Sequence, residues 1–224
     1  MINNLQNKNL LIGLSGPMAA GKNLAGEILE KMGCAVVDAD ITAHQALENV
    51  KSKITAQFKE EVASRGINIE NTDGTINRKA LAQIVFASKE SLAALESIVH
   101  PETSRLLEEF AASHKNQHCV INATVLNKVP LASKCNFIIY IDAPFILRLF
   151  RAKKRDRHSI FHLLKRFSSQ KKLYAQYQKL NVDIYKVRNI SSPKTLQKKL
   201  QRLFDRLGFS YSVQDVQVKT TAAD

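Results

Sequence analysis

No window of this 224-residue chain approaches the roughly 20 consecutive apolar residues that a membrane-spanning helix requires. Its first residues, Met1-Ile2-Asn3-Asn4-Leu5-Gln6-Asn7-Lys8, are polar and lack the apolar segment of a secretory leader, so no leader and no membrane association are expected. Cysteine is scarce. The three present (Cys34, Cys119, Cys135) are odd in number and sit among apolar residues. They read as free, buried thiols in a reducing compartment, which excludes a disulfide scaffold and points to the cytoplasm. Tryptophan is absent, and the few aromatics are not spaced as RNA-binding motifs require. No internal repeat or low-complexity tract is visible.

Acidic residues are missing from one region in particular. Between Phe145 and Arg206 there are 18 Lys/Arg against three Asp, so the net charge of +13 is a regional property. A nucleic-acid face, a phosphate-binding lid and a solvated helical surface all fit that excess. Hydrophobic residues make up 45 %, ample for a core, and the length suits one α/β domain carrying a small inserted subdomain.

The most informative stretch is Gly16-Pro17-Met18-Ala19-Ala20-Gly21-Lys22-Asn23. It follows the apolar run Leu10-Leu11-Ile12-Gly13-Leu14 and precedes a helical pattern, the setting in which G-x-x-x-x-G-K holds a nucleoside triphosphate. Tight glycine turns aim successive N–H groups inward, the helix adds its positive end, and Lys22 adds a mobile charge for the β/γ-phosphates. One residue departs from the pattern. Ser or Thr normally follows the lysine and ligates Mg²⁺, and here Asn23 stands there, a bulkier ligand through its amide oxygen. The expected ATP contacts are Gly16 through Leu24.

Beyond the loop, Leu24, Ala25, Ile28, Leu29 and Met32 recur at helical spacing and Gly33 ends that helix. A second strand is expected over Cys34–Asp40, then helix from Ile41 to about Ser64. After the turn Asn71-Thr72-Asp73-Gly74, further helices are expected over 78–86, from Ser88, and from Pro101 to about Ala112. Strands return at Cys119–Asn122, Phe137–Asp142 and Val182–Val187. Ser192-Pro193 opens a closing helix that ends before Gly208. The alternation implies a parallel sheet with helices on both faces, a P-loop kinase-like α/β fold with an inserted helical acceptor subdomain and a helical lid. We expect a single domain over 1–208: core 9–40, 117–150 and 180–208, helices about 41–116, lid about 151–175. A polar tail, 209–224, follows.

Asp38 and Asp40 end the second strand, where ligands of open α/β sheets bind. A carboxylate there can orient an acceptor hydroxyl and take its proton. The same Asp40 also suits the N-cap of a helix starting at Ile41, and Asp38 reads as structural.

Together these stretches resemble dephospho-coenzyme A kinases. The resemblance is carried by Gly13–Asn23, Val37-Asp38-Ala39-Asp40, Ile76-Asn77-Arg78-Lys79-Ala80-Leu81, Ile84-Val85-Phe86 and Ile98-Val99-His100-Pro101. It extends to Arg155-Asp156 with Arg166 and Gln170, and spans about Leu11 to Leu207. It implies transfer of a phosphoryl group from MgATP to the ribose 3′-hydroxyl of dephospho-coenzyme A, the last step of coenzyme A synthesis. Asp40 then falls on the family's catalytic carboxylate, Lys22 on its loop lysine, and Arg155 and Arg166 on its lid arginines. Asn189 falls in the loop that receives adenine, and Asn77, Arg78 and His100 in the acceptor region. No nucleic acid and no obligate protein partner are implied.

Three features depart from the family pattern. Asn122-Ala123-Thr124-Val125-Leu126-Asn127-Lys128 replaces D-x-P-L-L-F-E, Arg105 lies five residues past His100 rather than four, and Asn23 replaces the hydroxyl residue. A kinase for another nucleotide or nucleoside, a non-catalytic ATP-binding relative and a basic nucleic-acid module are the competing readings. His100 serves equally as a cap before Pro101 or as a ligand. His158 and His162, one turn apart with no third ligand in view, read as solvated lid histidines.

Overall fold

The computed structural model describes residues 9–126, 129–155, 160–170, 173–209 and 211. Short apolar runs form the strands β1 (Leu11–Ser15), β2 (Ala35–Asp38), β3 (Cys119–Asn122), β4 (Phe137–Asp142) and β5 (Asp183–Arg188). All pair in parallel, in the order β2-β3-β1-β4-β5. Burial on both faces explains why most of β3 and most of β4 are continuously apolar rather than alternating. β5 is an edge strand, partly exposed and mixed in composition.

One face of the sheet carries α1 (Lys22–Lys31) and α10 (Pro193–Leu207). Ile28 and Leu29 of α1 and Leu196, Leu200 and Phe204 of α10 join Ile12, Leu14, Val120 and Ile139 in one core. The start of α10 is chemically marked: Ser192 Oγ accepts from Thr195 N at 3.4 Å, Pro193 fills the first turn, and left-handed Gly208 ends the helix. α7 (Phe145–Arg155), α8 (Ile160–Ser169) and α9 (Leu173–Tyr177) follow β4. Tyr174 and Tyr177 of α9 pack edge-on to Tyr140, which points away from the α1 face by strand alternation.

The chain divides into two compact units, one up to Asp38 and from Ala111 onward, the other Ala39–Phe110. The second unit is helical: α2 (Ala39–Asn49), α3 (Lys51–Gln57), α4 (Lys59–Arg65), α5 (Arg78–Val85) and most of α6 (Lys89–Ser113). Its own core includes Val50, Ile54, Phe58, Ile76, Leu81, Ile84 and Val99.

Two expectations are corrected here. The helix expected over 41–64 is three helices, opened at Val50 and Phe58. Ala46, Val50, Ile54, Phe58 and Val62 recur every fourth residue, and each such step overshoots the helical period by about 40°. Opening the backbone at Val50 and Phe58 keeps that row directed at the core, while the hydrogen bonds 50→46, 54→50, 58→54 and 62→58 are all retained. The helices expected from Ser88 and from Pro101 are one helix, α6, which runs through Pro101. Pro101 removes one backbone bond, but Val99 before it and Leu106 after it pack into the same core and hold both halves in line. Among the described residues no helix is long and apolar enough to cross a membrane.

Candidate active site

In the first unit the site is built at the end of β1. Gly16 follows Ser15, and a Cβ at Gly16 would lie 2.2 Å from the Ile141 carbonyl oxygen of β4. The chain turns through Ala20 N donating to Pro17 O at 3.0 Å and enters α1 at Gly21. Gly21 has φ +97, and a Cβ there would lie 2.1 Å from Asn189 Nδ2. Both glycines are therefore sterically required. Gly21 at the N-cap position has no side chain to cap α1 and no acid stands in its first turn, so the positive end of the helix suits an anion. Lys22 and Asn23 begin that helix, Lys22 half-buried and Asn23 exposed, with Leu24 packed against the core beneath.

Side chains from distant parts of the chain hold the loop. Asn189, just past β5 and buried, donates Nδ2 to the Ala20 carbonyl at 2.9 Å, while its own N–H donates to Asp142 O at 2.7 Å. Arg151 of α7 donates to the Asn189 carbonyl at 3.2 Å. Gln170 Oε1, at the end of α8, accepts from Met18 N at 2.7 Å. Met18 and Ala19 pack on Ala152, Leu163 and Phe167. Ala19 has φ +61, the one left-handed residue other than glycine among those described.

Arg148, which the sequence reading did not single out, lies at the back of this region. Its Nε donates to Ala143 O at 3.1 Å, and its guanidinium stands 4.9 Å from the Phe167 ring centre. Burial lowers its pKa, opposed by Asp142 and Tyr140. It lines a cavity of about 480 Å³ with Pro17, Tyr140, Phe145, Gln170 and Tyr174. Tyr177 is a second residue without a sequence signal. Fully buried, its hydroxyl lies 2.7 Å from Ser15 Oγ and accepts from Leu126 N at 3.0 Å. Ser15 Oγ donates to Ala123 O at 2.9 Å. The altered segment after β3 is thus tied through Tyr177 to the strand that feeds the loop. Asn127 and Lys128 lie outside the described residues.

Oxygen ligands for a hard cation are present on the α1 face of the sheet. Asn122 ends β3 in register with Asp38 of β2, and alternation places both on the face that Val36 and Val120 share. Asn122 is buried and its Oδ1 has no hydrogen-bond partner. A Cβ on Gly26, one turn beyond Lys22 on α1, would lie 3.8 Å from Asn122 Nδ2. Amide and carboxylate oxygens are the ligand types magnesium takes, so Asn122 and Asp38 suit such an ion by their chemistry.

Arg155 ends α7 and Arg166 lies on α8, both exposed. Asp156, His158 and the His162 side chain lie outside the described residues.

In the second unit α2 begins at Ala39. Asp40 is its second residue and exposed, so it lies within the helix rather than ending β2 as expected, two places past the N-cap position. A groove of about 880 Å³ is lined by Ile41, His44, Glu48, Asn77, Arg78 and Lys79, among others. Ile41 is 67 % exposed there, an apolar contact open to a ligand. Asn77 N-caps α5, accepting from Ala80 N at 3.0 Å, and so presents Arg78 and Lys79 at the start of that helix. Glu48 accepts from Ile76 N at 3.1 Å and holds the turn before α5. His100 lies inside α6, which excludes a capping role before Pro101, and it does not line the groove. Arg105 is ion-paired to Glu102 at 2.7 Å and also to Glu109. That pairing, with Asn49, draws the Glu102 carboxyl down to about 2.

A family model for dephospho-CoA kinase matches residues 10–192. A dephospho-CoA kinase of Treponema denticola is 41 % identical over 204 residues, covering 89 % of this chain and 91 % of that protein. One from Treponema pallidum is 37 % identical over 201 residues, covering 88 % and 95 %. Among solved structures, TT1252 from Thermus thermophilus superposes with a TM-score of 0.73 at 25 % identity, covering 90 % of this chain and 99 % of that one. Dephospho-CoA kinase from Campylobacter jejuni superposes with a TM-score of 0.62 at 23 % identity, covering 88 % and 96 %, and supports the fold.

Proposed function

This chain belongs to the dephospho-CoA kinase family, and from that membership we propose that it transfers the γ-phosphoryl group of ATP to the ribose 3′-hydroxyl of dephospho-coenzyme A in the cytoplasm. The observation that carries the reading is the uncapped α1 entered through two sterically required glycines, within a family match over 10–192.

Gly16–Leu24 wrap the ATP phosphates with backbone N–H groups, and Lys22 follows the β/γ-phosphates. Asn189 keeps the loop in shape beside the adenine. Asn23, Asn122 and Asp38 are the residues that would hold Mg²⁺, which neutralises phosphate charge when bound. Asp40 takes the proton of the attacking hydroxyl. Arg155 and Arg166 gather charge on the transferred group, their planar forks matching phosphoryl oxygens better than a lysine point charge would. Arg78, Asn77, His44 and Ile41 supply cationic, polar and apolar contacts for the acceptor. His100, the remaining acceptor residue the resemblance implies, stands on α6 outside the groove lining. Such a reaction depends on positioning and charge neutralisation.

The test is ADP release with and without dephospho-coenzyme A. Strong acceptor dependence with a 3′-phosphorylated product is the expected result. Equal turnover on another nucleoside, or MgATP binding without turnover, would replace this reading.

A further inference from the structure

We propose that Gln170 is a positioning residue for the phosphate loop. By holding the Met18 amide it keeps the left-handed Ala19 in place before ATP arrives. The proposal rests on Gly16–Asn23 being the ATP site.

Ala19 has φ +61, a backbone conformation that a Cβ disfavours. Such a conformation persists only where its surroundings over-determine it. Two side chains from distant elements bracket it. On the N-terminal side Met18 N donates to Gln170 Oε1 at 2.7 Å, across 152 positions of sequence. On the C-terminal side the Ala20 carbonyl accepts from Asn189 Nδ2 at 2.9 Å. Pro17 O and Ala20 N close the turn between them at 3.0 Å.

Gln170 itself stands on a fixed base. Leu173, the first residue of α9, donates its N–H to the Gln170 carbonyl at 3.1 Å, and the hydroxyl of Tyr177 in the same helix is buried. It accepts from Leu126 N–H at 3.0 Å and lies 2.7 Å from Ser15 Oγ and 3.4 Å from Thr124 O, while Ser15 donates to Ala123 O at 2.9 Å. The arm that delivers Gln170 is therefore tied to Ser15, the residue before Gly16.

Amide exchange in the nucleotide-free full chain and steady-state kinetics together test this. Gln170→Leu should speed exchange of the Met18 amide about tenfold and raise the KM for ATP about five- to tenfold, with kcat changed less than about twofold. Gln170→Glu should restore both, because its carboxylate accepts the same N–H. Ala19→Gly in the Gln170→Leu background should recover most of the KM, because glycine adopts φ > 0 without help. Unchanged Met18 exchange in Gln170→Leu, or a Glu variant as impaired as Leu, would overturn the proposal. A Lys22→Ala protein with normal ATP affinity and turnover would instead sink the reading of the loop as the ATP site, which the nucleotide-free exchange measurement does not depend on.

Discussion

Asn189 and Ala20, 169 positions apart, are joined by a 2.9 Å hydrogen bond between a buried side-chain amide and a loop carbonyl. The bond ties the end of β5 to the phosphate loop. It adds to the demand for glycine that a φ of +97 makes at position 21, since a Cβ there would displace the Asn189 amide.

Removing that amide leaves the buried Ala20 carbonyl without its donor. Asn189→Leu should destabilise the protein by about 1–3 kcal/mol and raise the KM for ATP. Thermal denaturation with and without ATP checks both effects. A variant that melts and binds as the parent does would remove the staple from the account.

Gly21→Ala meets two penalties at once, a left-handed φ of +97 and a 2.1 Å approach to Asn189 Nδ2. Loss of ATP binding and a stability loss of about 1–3 kcal/mol are expected. Isothermal titration beside denaturant unfolding separates the two. Gly74, also left-handed, has nothing within 4 Å, so Gly74→Ala should cost only its backbone strain and leave ATP binding intact.

Lys22→Ala should abolish turnover, whereas Asn23→Ser should keep or raise it by offering the smaller hydroxyl ligand. Steady-state kinetics across a magnesium titration is the measurement. Harmless Lys22→Ala together with inert Asn23→Ser would mean the loop is not catalytic.

Asp40→Asn should lower kcat by about 10²–10⁴ with little change in ATP affinity, the expected signature of a lost general base. A large drop in ATP affinity instead would assign the carboxylate to the metal.

Burial raises the Cys34 and Cys135 thiols from 9.0 to about 12. A raised native value means that the neutral thiol favours the fold below pH 9 and that this contribution is lost as pH climbs from 9 toward 12. Stability should therefore fall over that window, and less steeply in a Cys34→Ser/Cys135→Ser protein compared by urea melts. Both thiols should also resist alkylation at pH 8 until the chain unfolds.

Much of the fold was legible because strand and helix signals are local. The apolar runs at Cys119–Asn122 and Phe137–Asp142 are strands with those bounds. Ser192-Pro193 and Gly208 mark the ends of α10. The breaks at Val50 and Phe58 and the passage through Pro101 are not legible, because propensity does not report which core a residue must reach. Val50 and Phe58 open the backbone so that a four-residue row stays buried, and Pro101 is carried through α6 by packing on both sides of it.

The sequence by itself determined the family, the parallel α/β class and the position of the phosphate loop. Glycine spacing, a following lysine and strand–helix order are short-range and chemically specific. Only the tertiary structure decided how that loop is held. Gln170, Asn189 and Tyr177 reach it from 152, 169 and 162 positions away. Gln170 and Asn189 carried a family resemblance and Tyr177 no signal at all, but none carried its partner, because each hydrogen bond exists only once the sheet has brought its strand ends together.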